Sequence, residues 1–488
     1  MDDMNFMKYN LGDTITEALN DLGYGMPTRV QERVIPFVLK KNDLIVKAQT
    51  GSGKTAAFAI PICELIEWLE NKPQVLVLTP TRELAVQVKE EFASIGKLKR
   101  IKVAAVYGRH PFSTEKTELK QKTHVVTGTP GRVLDHIRKG SLALNKINCL
   151  VIDEADRMLD MGFIEQVETI LKELPDERMT LLFSATIPEK VKEIAFHYMR
   201  NPIPIEVCEN NNTTDLISHS LYITKEEEKY ALLQNVTIIE NPDSCMIFCG
   251  TKDRVDEVYE GLTVLGYRCS KIHGGMEQKD RMRAMQRFKN GEDYYLIATD
   301  VAARGIDVEN TSLVVNYDIP LDAANYVHRT GRTGRAGQKG KAITFLTPKE
   351  IRYLHEIEKL IGFEIQQMSE PFPEQVSECK PAFQAKMNNT PQKKRRKSDQ
   401  LNQRIMKLRF SGGKNKKLRA TNFVWVIANI EGVTAEDIGI INVQETLTYV
   451  EILNGKGPLV LEAMKSTRIG GKLLKVSVAK DKDAIYLL

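Results

Sequence analysis

AQTGSGKT, at residues 48–55, has the composition of a phosphate-binding loop, with alanine in place of the usual first glycine. Gly51 and Gly53 allow backbone N–H groups to close around phosphate oxygens, because glycine tolerates backbone angles that other residues avoid. Lys54 can then reach the terminal phosphates, and the Thr55 hydroxyl can bind Mg²⁺. The pattern predicts a site for a nucleoside triphosphate, although a glycine-rich loop alone is also compatible with a tight turn.

A second sequence, VIDEAD at residues 151–156, begins as an apolar strand and ends in the adjacent carboxylates Asp153 and Glu154. A buried parallel strand that ends beside a nucleotide has this pattern, which favours the nucleotide site over the tight turn. We expect Thr55 and Asp153 to hold Mg²⁺, partly through water. Glu154 is then the candidate for activating the attacking water, since Asp153 is committed to the metal. The alternative for Glu154 is a surface carboxylate at a strand end.

Apolar strands alternate with amphipathic helices through most of the chain. In the first half, helical periodicity covers residues 82–95 and 163–174, and strand-like segments lie between such helices. This alternation predicts a parallel sheet with helices on both faces, and each motif follows the carboxyl end of a strand. The second half repeats the scheme. We therefore predict an α/β fold with two tandem RecA-like parallel-sheet lobes, at residues 1–207 and 208–370.

The remaining residues predict a linker and a third, smaller domain. Residues 371–402 contain prolines and a basic run without periodicity, which indicates a basic flexible linker. Within residues 403–488 we predict strands at 405–410, 438–443, 447–453 and 472–479 and helices at 420–430 and 458–466. This βαββαβ order predicts an α+β domain like an RNA recognition motif (RRM), although its signature sequence is incomplete. Phe410 and Tyr449, on the two central strands, can stack on bases or serve as ordinary sheet residues.

The net charge of +5 is concentrated in one short stretch. Residues 386–420 contain 13 lysines and arginines and one aspartate, whereas the rest of the chain is slightly acidic. A local excess of positive charge is what a phosphate-binding segment requires. The candidate RNA contacts in its densest part are Lys393, Lys394, Arg395, Arg396 and Lys397. A solvated linker or a localisation tag is the alternative interpretation.

Three features of the composition predict a cytoplasmic protein that is not inserted in a membrane. The first ten residues, MDDMNFMKYN, are acidic and lack the apolar region of a signal peptide. No apolar run approaches the roughly 20 residues that a membrane helix needs. The seven cysteines are scattered without a CxxC pair, which favours reduced thiols over a disulfide framework or a zinc site.

These motifs resemble those of the DEAD-box ATP-dependent RNA helicases, with which the chain shares ordered sequences over about residues 1–370. The two sequences described above read A-x-T-G-S-G-K-T and D-E-A-D in the notation of that family. The others are GYGMPTRVQ (23–31), PTRELA (80–85), TPGR (129–132), SAT (184–186), IFC (247–249), HGGMEQKDR (273–281), ATDVAARGID (298–307) and HRTGRTGR (328–335). One departure is YGRHP at residues 107–111, where many members have a double glycine that contacts RNA.

The resemblance implies an RNA-stimulated ATPase that uses ATP and Mg²⁺. The nucleotide-binding positions that it implies are Phe6, Gln31, Gln49, Thr50, Gly51, Ser52, Gly53, Lys54, Thr55, Gly305 and Asp307. Phe6 would cover the adenine ring and Gln31 would match its edge. The catalytic positions are Lys54, Asp153, Glu154, Arg332 and Arg335, with surface ion pairing as the alternative for the two arginines. Ser184, Thr186 and Asp156 would couple the ATP state to the RNA state.

The same resemblance implies an RNA path across both lobes. Its predicted contacts to the RNA backbone are Thr81, Arg82, Thr129, Gly131, Arg132, Gly274, Arg281 and Thr299. Threonines and N–H groups at helix starts contact phosphate without reading sequence. A helicase core with such a tail resembles the bacterial DbpA/YxiN subgroup, whose tail selects 23S ribosomal RNA.

We therefore expect 23S ribosomal RNA and pre-50S particles as partners, and a monomer that unwinds or remodels structured RNA. Two other functions stay open on the sequence. One is an ATP-gated RNA clamp without productive unwinding, which would use the same motifs. The other is a DNA helicase or translocase, which the DEAD sequence and the GYGMPTRVQ sequence both disfavour.

Overall fold

The structure, a computed structural model, describes residues 5–49, 51–207, 216–303, 311–334, 339–389 and 404–479. The chain divides into two compact units, Met1–Val207 with Arg396–Leu488, and Cys208–Arg395. We refer to residues 5–207 as lobe 1, to residues 216–389 as lobe 2 and to residues 404–479 as the C-terminal domain. The predicted site residues outside the described ranges are Thr50, Gly305, Asp307, Arg335, Lys393, Lys394, Arg395, Arg396 and Lys397.

Lobe 1 is built on a seven-stranded parallel sheet. Its strands are β1 (Leu44–Lys47), β2 (Val75–Leu78), β3 (Val103–Val106), β4 (Val125–Gly128), β5 (Cys149–Ile152), β6 (Met179–Ser184) and β7 (Ile203–Glu206). Their order across the sheet is β3-β4-β2-β5-β6-β1-β7. Val75 and Val77 belong to one apolar cluster, and Leu76 and Leu78 belong to another. Both faces of the sheet are therefore covered, which explains why its strands are continuously apolar.

Helices cover both faces of this sheet. They are α1 (Asp13–Asp21), α2 (Arg29–Leu39), α3 (Lys54–Leu65), α4 (Arg82–Ile95), α5 (Phe112–Leu119), α6 (Pro130–Arg138), α7 (Ala155–Asp160), α8 (Ile164–Glu173) and α9 (Glu189–Tyr198). Helix α4 illustrates their pattern, since Leu84, Val88, Phe92 and Ile95 recur at three- or four-residue spacing and are buried. The prediction of a helix over residues 82–95 is confirmed.

Lobe 2 repeats this architecture with a second seven-stranded parallel sheet. Its strands are β8 (Ile217–Ile223), β9 (Cys245–Phe248), β10 (Cys269–Ile272), β11 (Tyr295–Ala298), β12 (Leu313–Asn316), β13 (Gly340–Leu346) and β14 (Gln366–Gln367). Its helices are α10 (Lys229–Glu240), α11 (Lys252–Val264), α12 (Gln278–Lys289), α13 (Asp300–Ala303), α14 (Ala323–Thr330), α15 (Ile351–Ile361) and α16 (Pro373–Asn388). The strand order is β10-β11-β9-β12-β13-β8-β14.

Helix α16 lies within residues 371–402, where the sequence predicts a flexible linker. Phe383 and Met387 of this helix are buried in the apolar core of lobe 2. The Lys386 ammonium donates to the carbonyl of Asn241 at 3.0 Å and lies 3.1 Å from the Asp243 carboxylate. The prediction of a linker is therefore wrong for residues 373–388. Pro373 is in the first turn, where a proline has no helical N–H bond to lose, whereas Pro381 lies inside the helix and is tolerated there.

The C-terminal domain is a four-stranded antiparallel sheet with two helices and a small hairpin. Its elements are β15 (Met406–Phe410), α17 (Ala420–Ala428), β16 (Ile438–Val443), β17 (Thr448–Ile452), α18 (Gly457–Ala463), β18 (Arg468–Ile469), β19 (Lys472–Leu473) and β20 (Val476–Val478). The sheet order is β16-β17-β15-β20. The βαββαβ prediction is confirmed in its order, but the predicted last strand is divided between a hairpin and β20.

The three sheets confirm the predicted fold class of two tandem parallel-sheet lobes followed by a small α+β domain. Predicted and observed element ends differ by one or two residues in most places, as for α8 against the predicted 163–174. Among the residues that the structure describes, no helix is both long enough and apolar enough to cross a membrane.

Candidate nucleotide and RNA sites

The strand order of lobe 1 gathers the predicted motifs into two neighbouring groups. Strands β5, β6 and β1 are adjacent, and the motifs after them are 153–156, 184–186 and 48–55. Strands β3, β4 and β2 are also adjacent, and residues 107–111, 129–132 and 80–82 follow them. Because parallel strands end at one edge of a sheet, all six motifs lie along that edge. The candidate nucleotide residues occupy one half of the edge and the candidate RNA residues occupy the other.

The phosphate-binding loop has the backbone that its glycines predict. Gly51 and Gly53 have φ angles of 83° and 86°, in the left-handed region that glycine adopts without strain. A Cβ atom at Gly53 would lie 2.8 Å from the side-chain nitrogen of Gln31. Gly53 precedes α3 without a side-chain cap, so the first N–H groups of that helix are available to an anion. Lys54 is buried, and its ammonium donates to the Ala48 carbonyl at 3.2 Å.

Helix α2 supports this loop through two polar side chains. The Thr28 hydroxyl donates to the Ser52 carbonyl at 2.9 Å, and the Gln31 amide donates to the Gly53 carbonyl at 3.4 Å. The Gln31 side-chain oxygen accepts from the Thr28 backbone N–H at 2.9 Å. Within the loop, the Ser52 hydroxyl donates to the Gln49 carbonyl at 2.8 Å. In this structure Gln31 therefore caps its helix and holds the phosphate-binding loop.

Phe6, the predicted cover for adenine, is 3% exposed and belongs to the apolar core of lobe 1. Its ring meets those of Tyr9 and Tyr24 edge to face, at centroid distances of 6.2 and 6.0 Å. The structure thus places Phe6 as a core aromatic residue.

Asp153, at the end of β5, has a carboxylate suited to a cation. Burial raises its pKa to about 6, with Lys54 opposing the rise and Glu154 adding to it. Its Oδ1 atom is buried and has no hydrogen-bond partner among the described residues. A buried carboxylate oxygen is normally paired, and Mg²⁺ prefers oxygen ligands. The donor set of Asp153 with the Thr55 hydroxyl therefore fits Mg²⁺.

Glu154 has an unusual backbone and an unpredicted partner. Its φ angle of 55° is in the left-handed region, which costs a residue with a side chain roughly 1–2 kcal/mol. Such strain in a folded protein often marks a functional position. The Glu154 carboxylate lies 3.1 Å from the Arg157 guanidinium, and both side chains are buried. The three-residue spacing at the start of a helix is the sequence signal that could have identified this pair.

The three predicted coupling residues are in contact. The Asp156 backbone N–H donates to the Ser184 hydroxyl at 3.1 Å. The Asp156 carboxylate accepts from both the backbone N–H and the hydroxyl of Thr186. Burial alone would raise the pKa of Asp156, but the bonds from Thr186 and Ser184 outweigh it and lower the pKa below its usual range. These contacts join the end of β5 to the end of β6.

The candidate RNA residues of lobe 1 lie at the starts of two helices. Thr81 and Thr129 are the N-cap residues of α4 and α6. The Thr81 hydroxyl accepts from the Leu84 N–H at 3.3 Å. The Arg82 guanidinium lies beside Gly108, where an added Cβ atom would be 3.2 Å from it. Arg132, in the first turn of α6, is 2.7 Å from the carboxylate of Glu115, a residue that the sequence does not single out.

Gly131, the other candidate in α6, lies next to the side-chain oxygen of Gln166, which an added Cβ atom would approach to 3.1 Å. The structure also describes the backbone at Gly108 and Arg109, where the sequence departs from the family pattern. Arg109 is exposed, with a φ angle of 61° in the left-handed region. An arginine thus takes a backbone conformation that usually favours glycine, at a cost of roughly 1–2 kcal/mol.

In lobe 2, the structure describes Arg329 and Arg332 of the HRTGRTGR sequence. Arg329 is buried and binds the Asp300 carboxylate with two nitrogens, at 2.6 and 2.7 Å. It also donates to the Asp318 carbonyl at 2.7 Å, so these contacts hold its guanidinium within lobe 2. Arg332 follows α14 and is 5% exposed. The other lobe 2 candidates are Gly274 after β10, Arg281 on α12 and Thr299 after β11.

Phe410 and Tyr449 point to opposite sides of the C-terminal sheet. Phe410 is fully buried and meets Phe423 edge to face at 5.2 Å. Base stacking by Phe410 is therefore a wrong prediction, because strand alternation turns it with Leu408 toward the helices. Tyr449 lies on the other face and is 4% exposed.

The face that carries Tyr449 contacts lobe 1. The Lys97 ammonium lies 2.8 Å from the Glu451 carboxylate on the same strand as Tyr449. The Gln121 amide donates to the Val443 carbonyl at 3.2 Å, on the neighbouring strand. Tyr449 is on this face, with the Lys407 ammonium 5.5 Å from its ring centroid, and its low exposure leaves no open ring surface for a base in this structure.

The C-terminal domain has a basic loop, residues 411–419, which lies within the basic stretch 386–420 but has no role predicted from the sequence. It contains Lys414, Lys416, Lys417 and Arg419, of which Lys417 and Arg419 are exposed. This loop therefore presents positive charge to solvent.

Comparisons with known proteins agree with this arrangement. The DEAD/DEAH box helicase family matches residues 28–194, and the helicase conserved C-terminal domain matches residues 228–337. The DbpA RNA binding domain matches residues 407–478.

The chain is 58% identical over 475 residues to the ATP-dependent RNA helicase DbpA of Bacillus subtilis strain 168, covering 97% of this chain and 99% of that protein. It is 44% identical over 373 residues to the ATP-dependent RNA helicase CshA of Limosilactobacillus reuteri, covering 76% of this chain and 75% of the relative. The structure of S. cerevisiae Dbp5 bound to RNA and ADP BeF3 matches with a TM-score of 0.69 and 31% identity, covering 79% of this chain and all of that one.

The ordered motifs, the two parallel sheets and these relatives show the family. The chain belongs to the DEAD-box ATP-dependent RNA helicases. The similarity to the B. subtilis protein continues through its RNA-binding domain. The chain is accordingly an ATP-dependent RNA helicase of the DbpA type. The predicted family and enzymatic class are confirmed.

Proposed function

We propose that this helicase remodels structured 23S ribosomal RNA in pre-50S particles, acting in the cytoplasm as a monomer. The observation that carries the proposal is the match of its C-terminal domain to the DbpA RNA binding domain. The resemblance to a subgroup whose tail selects 23S ribosomal RNA supplies the substrate. A tethered RNA-binding domain raises the local concentration of its RNA at the helicase lobes.

ATP hydrolysis in lobe 1 depends on positioning and charge, because phosphoryl transfer needs little covalent chemistry from the protein. Loop N–H groups and Lys54 neutralise the phosphates. Thr55 and Asp153 would hold Mg²⁺, partly through water, and the ion would offset phosphate charge. Glu154 orients and deprotonates the attacking water, and its ion pair with Arg157 fixes the carboxylate.

The adenine and the γ-phosphate engage residues at the edges of this site. Gln31 has a donor N–H and a lone pair beyond its bonds to Thr28 and Gly53, which can match the adenine edge. Phe6, which lies in the apolar core of lobe 1, supports the adenine ring. In lobe 2, Arg332 and Arg335 supply permanent positive charge to the transition state, and Gly305 and Asp307 contact the nucleotide.

RNA binds through its backbone along the second half of the lobe 1 edge. The contacts are the helix starts at Thr81 and Thr129, with Arg82, Gly131 and Arg132. Gly274, Arg281 and Thr299 extend the path in lobe 2. Such contacts hold RNA without reading its sequence, and 2′-hydroxyl contacts favour RNA over DNA. Asp156, Ser184 and Thr186 join the ends of β5 and β6 in the nucleotide half of the edge, and a shift of this contact on ATP binding makes ATP binding and RNA binding favour each other.

Selectivity for one RNA resides in the C-terminal domain. Its basic loop, residues 411–419, and the run Lys393–Lys397 attract phosphate, and the domain reads unpaired bases. The test is the RNA concentration that gives half-maximal ATPase activity, for a 23S-derived hairpin fragment and for poly(A). We compare the intact protein with a chain lacking residues 390–488, a boundary that keeps α16.

We expect the intact protein to need about tenfold less hairpin RNA than poly(A), and the truncated protein to lose this preference while retaining its maximal rate. Lys417→Glu with Arg419→Glu tests the basic loop within the full chain. If the intact protein needed equal concentrations of hairpin RNA and poly(A), the proposal that the C-terminal domain selects the RNA would be contradicted. Strand separation of a short duplex beside the hairpin distinguishes a helicase from an ATP-gated clamp, which would bind without separating strands.

A further inference from the structure

Glu115, on α5, is a fully buried carboxylate with four partners. Its Oε1 atom accepts from the Tyr107 backbone N–H at 3.0 Å and lies 3.2 Å from His110 Nδ1. Its Oε2 atom accepts from Arg132 Nε at 2.7 Å and lies 2.8 Å from His136 Nε2. A buried carboxylate costs much free energy unless its oxygens are satisfied, and here both oxygens are.

The partners keep this carboxylate charged. Burial alone would raise the pKa of Glu115, but the bonds from His110, His136, the Tyr107 N–H and Arg132 outweigh it and lower the pKa to about 2. Since a carboxylate only accepts, the Nε2 atom of His136 carries the proton toward Glu115. The other ring nitrogen of His136 lies 2.8 Å from the Ser141 hydroxyl.

The four partners belong to two separate segments at the candidate RNA half of the edge. Tyr107 and His110 are in the loop after β3, which includes the departure from the family pattern. Arg132 and His136 are on α6, after β4. One side chain therefore fixes the position of one segment relative to the other.

Arg132 is held in a defined plane by these contacts. Its Nε atom binds Glu115, and its Nη2 atom donates to the His110 carbonyl. The Phe112 ring lies 5.2 Å from the guanidinium carbon and stacks on His136 at 4.2 Å. Nη1 has no hydrogen-bond partner among the residues that the structure describes, and 15% of the Arg132 side chain is exposed. A guanidinium fixed before binding loses less entropy when it meets phosphate.

We propose that Glu115 is a positioning residue for RNA binding, which holds Arg132 and the loop at residues 107–111 in the arrangement that receives the RNA backbone. This inference rests on the proposed function, because it takes Arg132 as a phosphate contact. Glu115 itself touches no RNA. It acts through Arg132, so its loss changes the RNA requirement and leaves the chemistry of ATP unchanged.

The first experiment measures RNA-stimulated ATPase activity of the full chain over a range of poly(A) concentrations. We expect Glu115→Gln to raise the half-maximal RNA concentration about tenfold, with kcat at saturating RNA and KM for ATP within twofold of wild type. Glu118→Gln, the same chemical change one turn along α5, is the matched control and should leave all three values unchanged. A fall in kcat without a change in RNA requirement would indicate a general structural role and overturn the proposal.

The second experiment tests whether Glu115 acts through Arg132. Arg132→Ala should raise the RNA requirement, and adding Glu115→Gln should raise it no further. Additive effects would overturn the proposal. If Arg132→Ala has no effect, the phosphate contact assigned under the proposed function is wrong. If Arg132→Ala has an effect and Glu115→Gln has none, the positioning role alone is wrong.

If Glu115→Gln fails to fold, Arg132→Lys still tests the proposal. The Arg132 side chain is partly exposed, so its substitution should disturb folding less. Lysine preserves the charge but cannot bind Glu115 and the His110 carbonyl together through a planar fork. We expect an RNA requirement close to that of Arg132→Ala. A wild-type requirement would show that charge alone suffices and would overturn the proposal.

Discussion

The Asp156 carboxylate accepts two hydrogen bonds from Thr186, one from its backbone N–H and one from its hydroxyl, each 2.9 Å long. Asp156 follows β5 and Thr186 follows β6, which are adjacent in the sheet. The contact therefore connects the VIDEAD segment to the SAT segment across two strand ends. Under the proposed function, a change at the nucleotide moves the neighbouring loop through this contact.

Thr186→Val removes the hydroxyl bond and keeps the backbone bond and the side-chain shape. A single hydrogen bond contributes about 1 kcal/mol, so we expect roughly a fivefold loss in RNA strand separation. ATPase activity at saturating RNA should fall by less than twofold. Parallel assays of both activities on one duplex substrate provide the measurement. Thr169→Val, which removes a hydroxyl bonded only within α8, is the control. Equal losses of both activities would argue against a coupling role.

Glu154→Gln should bind ATP and RNA but lose turnover by about 10²–10⁴-fold, the usual effect of removing a general base. Glutamine can still accept from Arg157, so the side chain should keep its position. Single-turnover hydrolysis and binding of a fluorescent nucleotide separate the two effects. Glu165→Gln, an exposed change on α8, should behave as wild type. Turnover within tenfold of wild type in Glu154→Gln would remove this residue from the proposed role.

Arg332→Ala should preserve nucleotide binding and reduce RNA-stimulated hydrolysis by about 10³-fold or more, because it removes positive charge offered to the transition state. Nucleotide affinity and kcat are measured on the same preparation. An equal loss of affinity would place Arg332 in ground-state binding instead.

Arg329, three residues before Arg332, has contacts that predict a role in stability. Its guanidinium is buried, but the Asp300 side chain is 23% exposed, so losing the pair should cost less than the roughly 3–5 kcal/mol typical of a fully buried ion pair. We expect Arg329→Ala to lower the unfolding temperature, because it removes the bonds to the Asp300 carboxylate and the Asp318 carbonyl. A stable Arg329→Ala protein would contradict the structural role.

His124 should make lobe 1 sensitive to mild acid. Burial lowers its pKa to about 4, against an ordinary value of 6.5. The neutral ring accepts from the Lys102 N–H at 2.9 Å and contacts the Trp68 carbonyl. A depressed pKa means that the unfolded state binds the proton more tightly. Neutral His124 therefore contributes to the free energy of unfolding above pH 6.5, and this contribution is lost as the pH falls toward 4.

Between pH 7.5 and pH 5 we expect the His124 contribution to fall by about 2 kcal/mol. His124→Asn keeps an acceptor for Lys102 but does not titrate, so its stability should change less with pH. Urea unfolding followed by Trp68 fluorescence, in a Trp425→Phe background, reports lobe 1 directly. Trp425 is 72% exposed, which makes that background change mild. Identical acid sensitivity of the two proteins would show that His124 is not the titrating group.

Most of the fold could be predicted from the sequence because its signals are local. Continuous apolar runs indicate buried parallel strands, and three- or four-residue periodicity indicates helices such as α4. The prolines of α16 gave the opposite signal. That helix exists because Phe383 and Met387 reach an apolar core that is assembled from distant residues. Local propensity is a weak guide where tertiary burial supplies the stabilisation.

The candidate nucleotide site was largely predictable as well, since its loop residues are contiguous and their chemistry follows from residue type. The Glu154–Arg157 pair lies within one short helix and had a usable signal. No sequence signal indicated the partners of Gln31 or the core position of Phe6. Both depend on how α2 and the first residues pack against the rest of lobe 1.

The sequence by itself determined the family, the two parallel sheets, the phosphate-binding loop and the order of the C-terminal domain, because each follows from residues close together in the chain. Only the tertiary structure decided that Glu115 binds Arg132, that Phe410 faces the core and that Lys97 meets Glu451 across 354 residues of sequence. The physical reason is that burial, strand facing and charge pairing depend on which distant segments fold together. No local pattern specifies that choice.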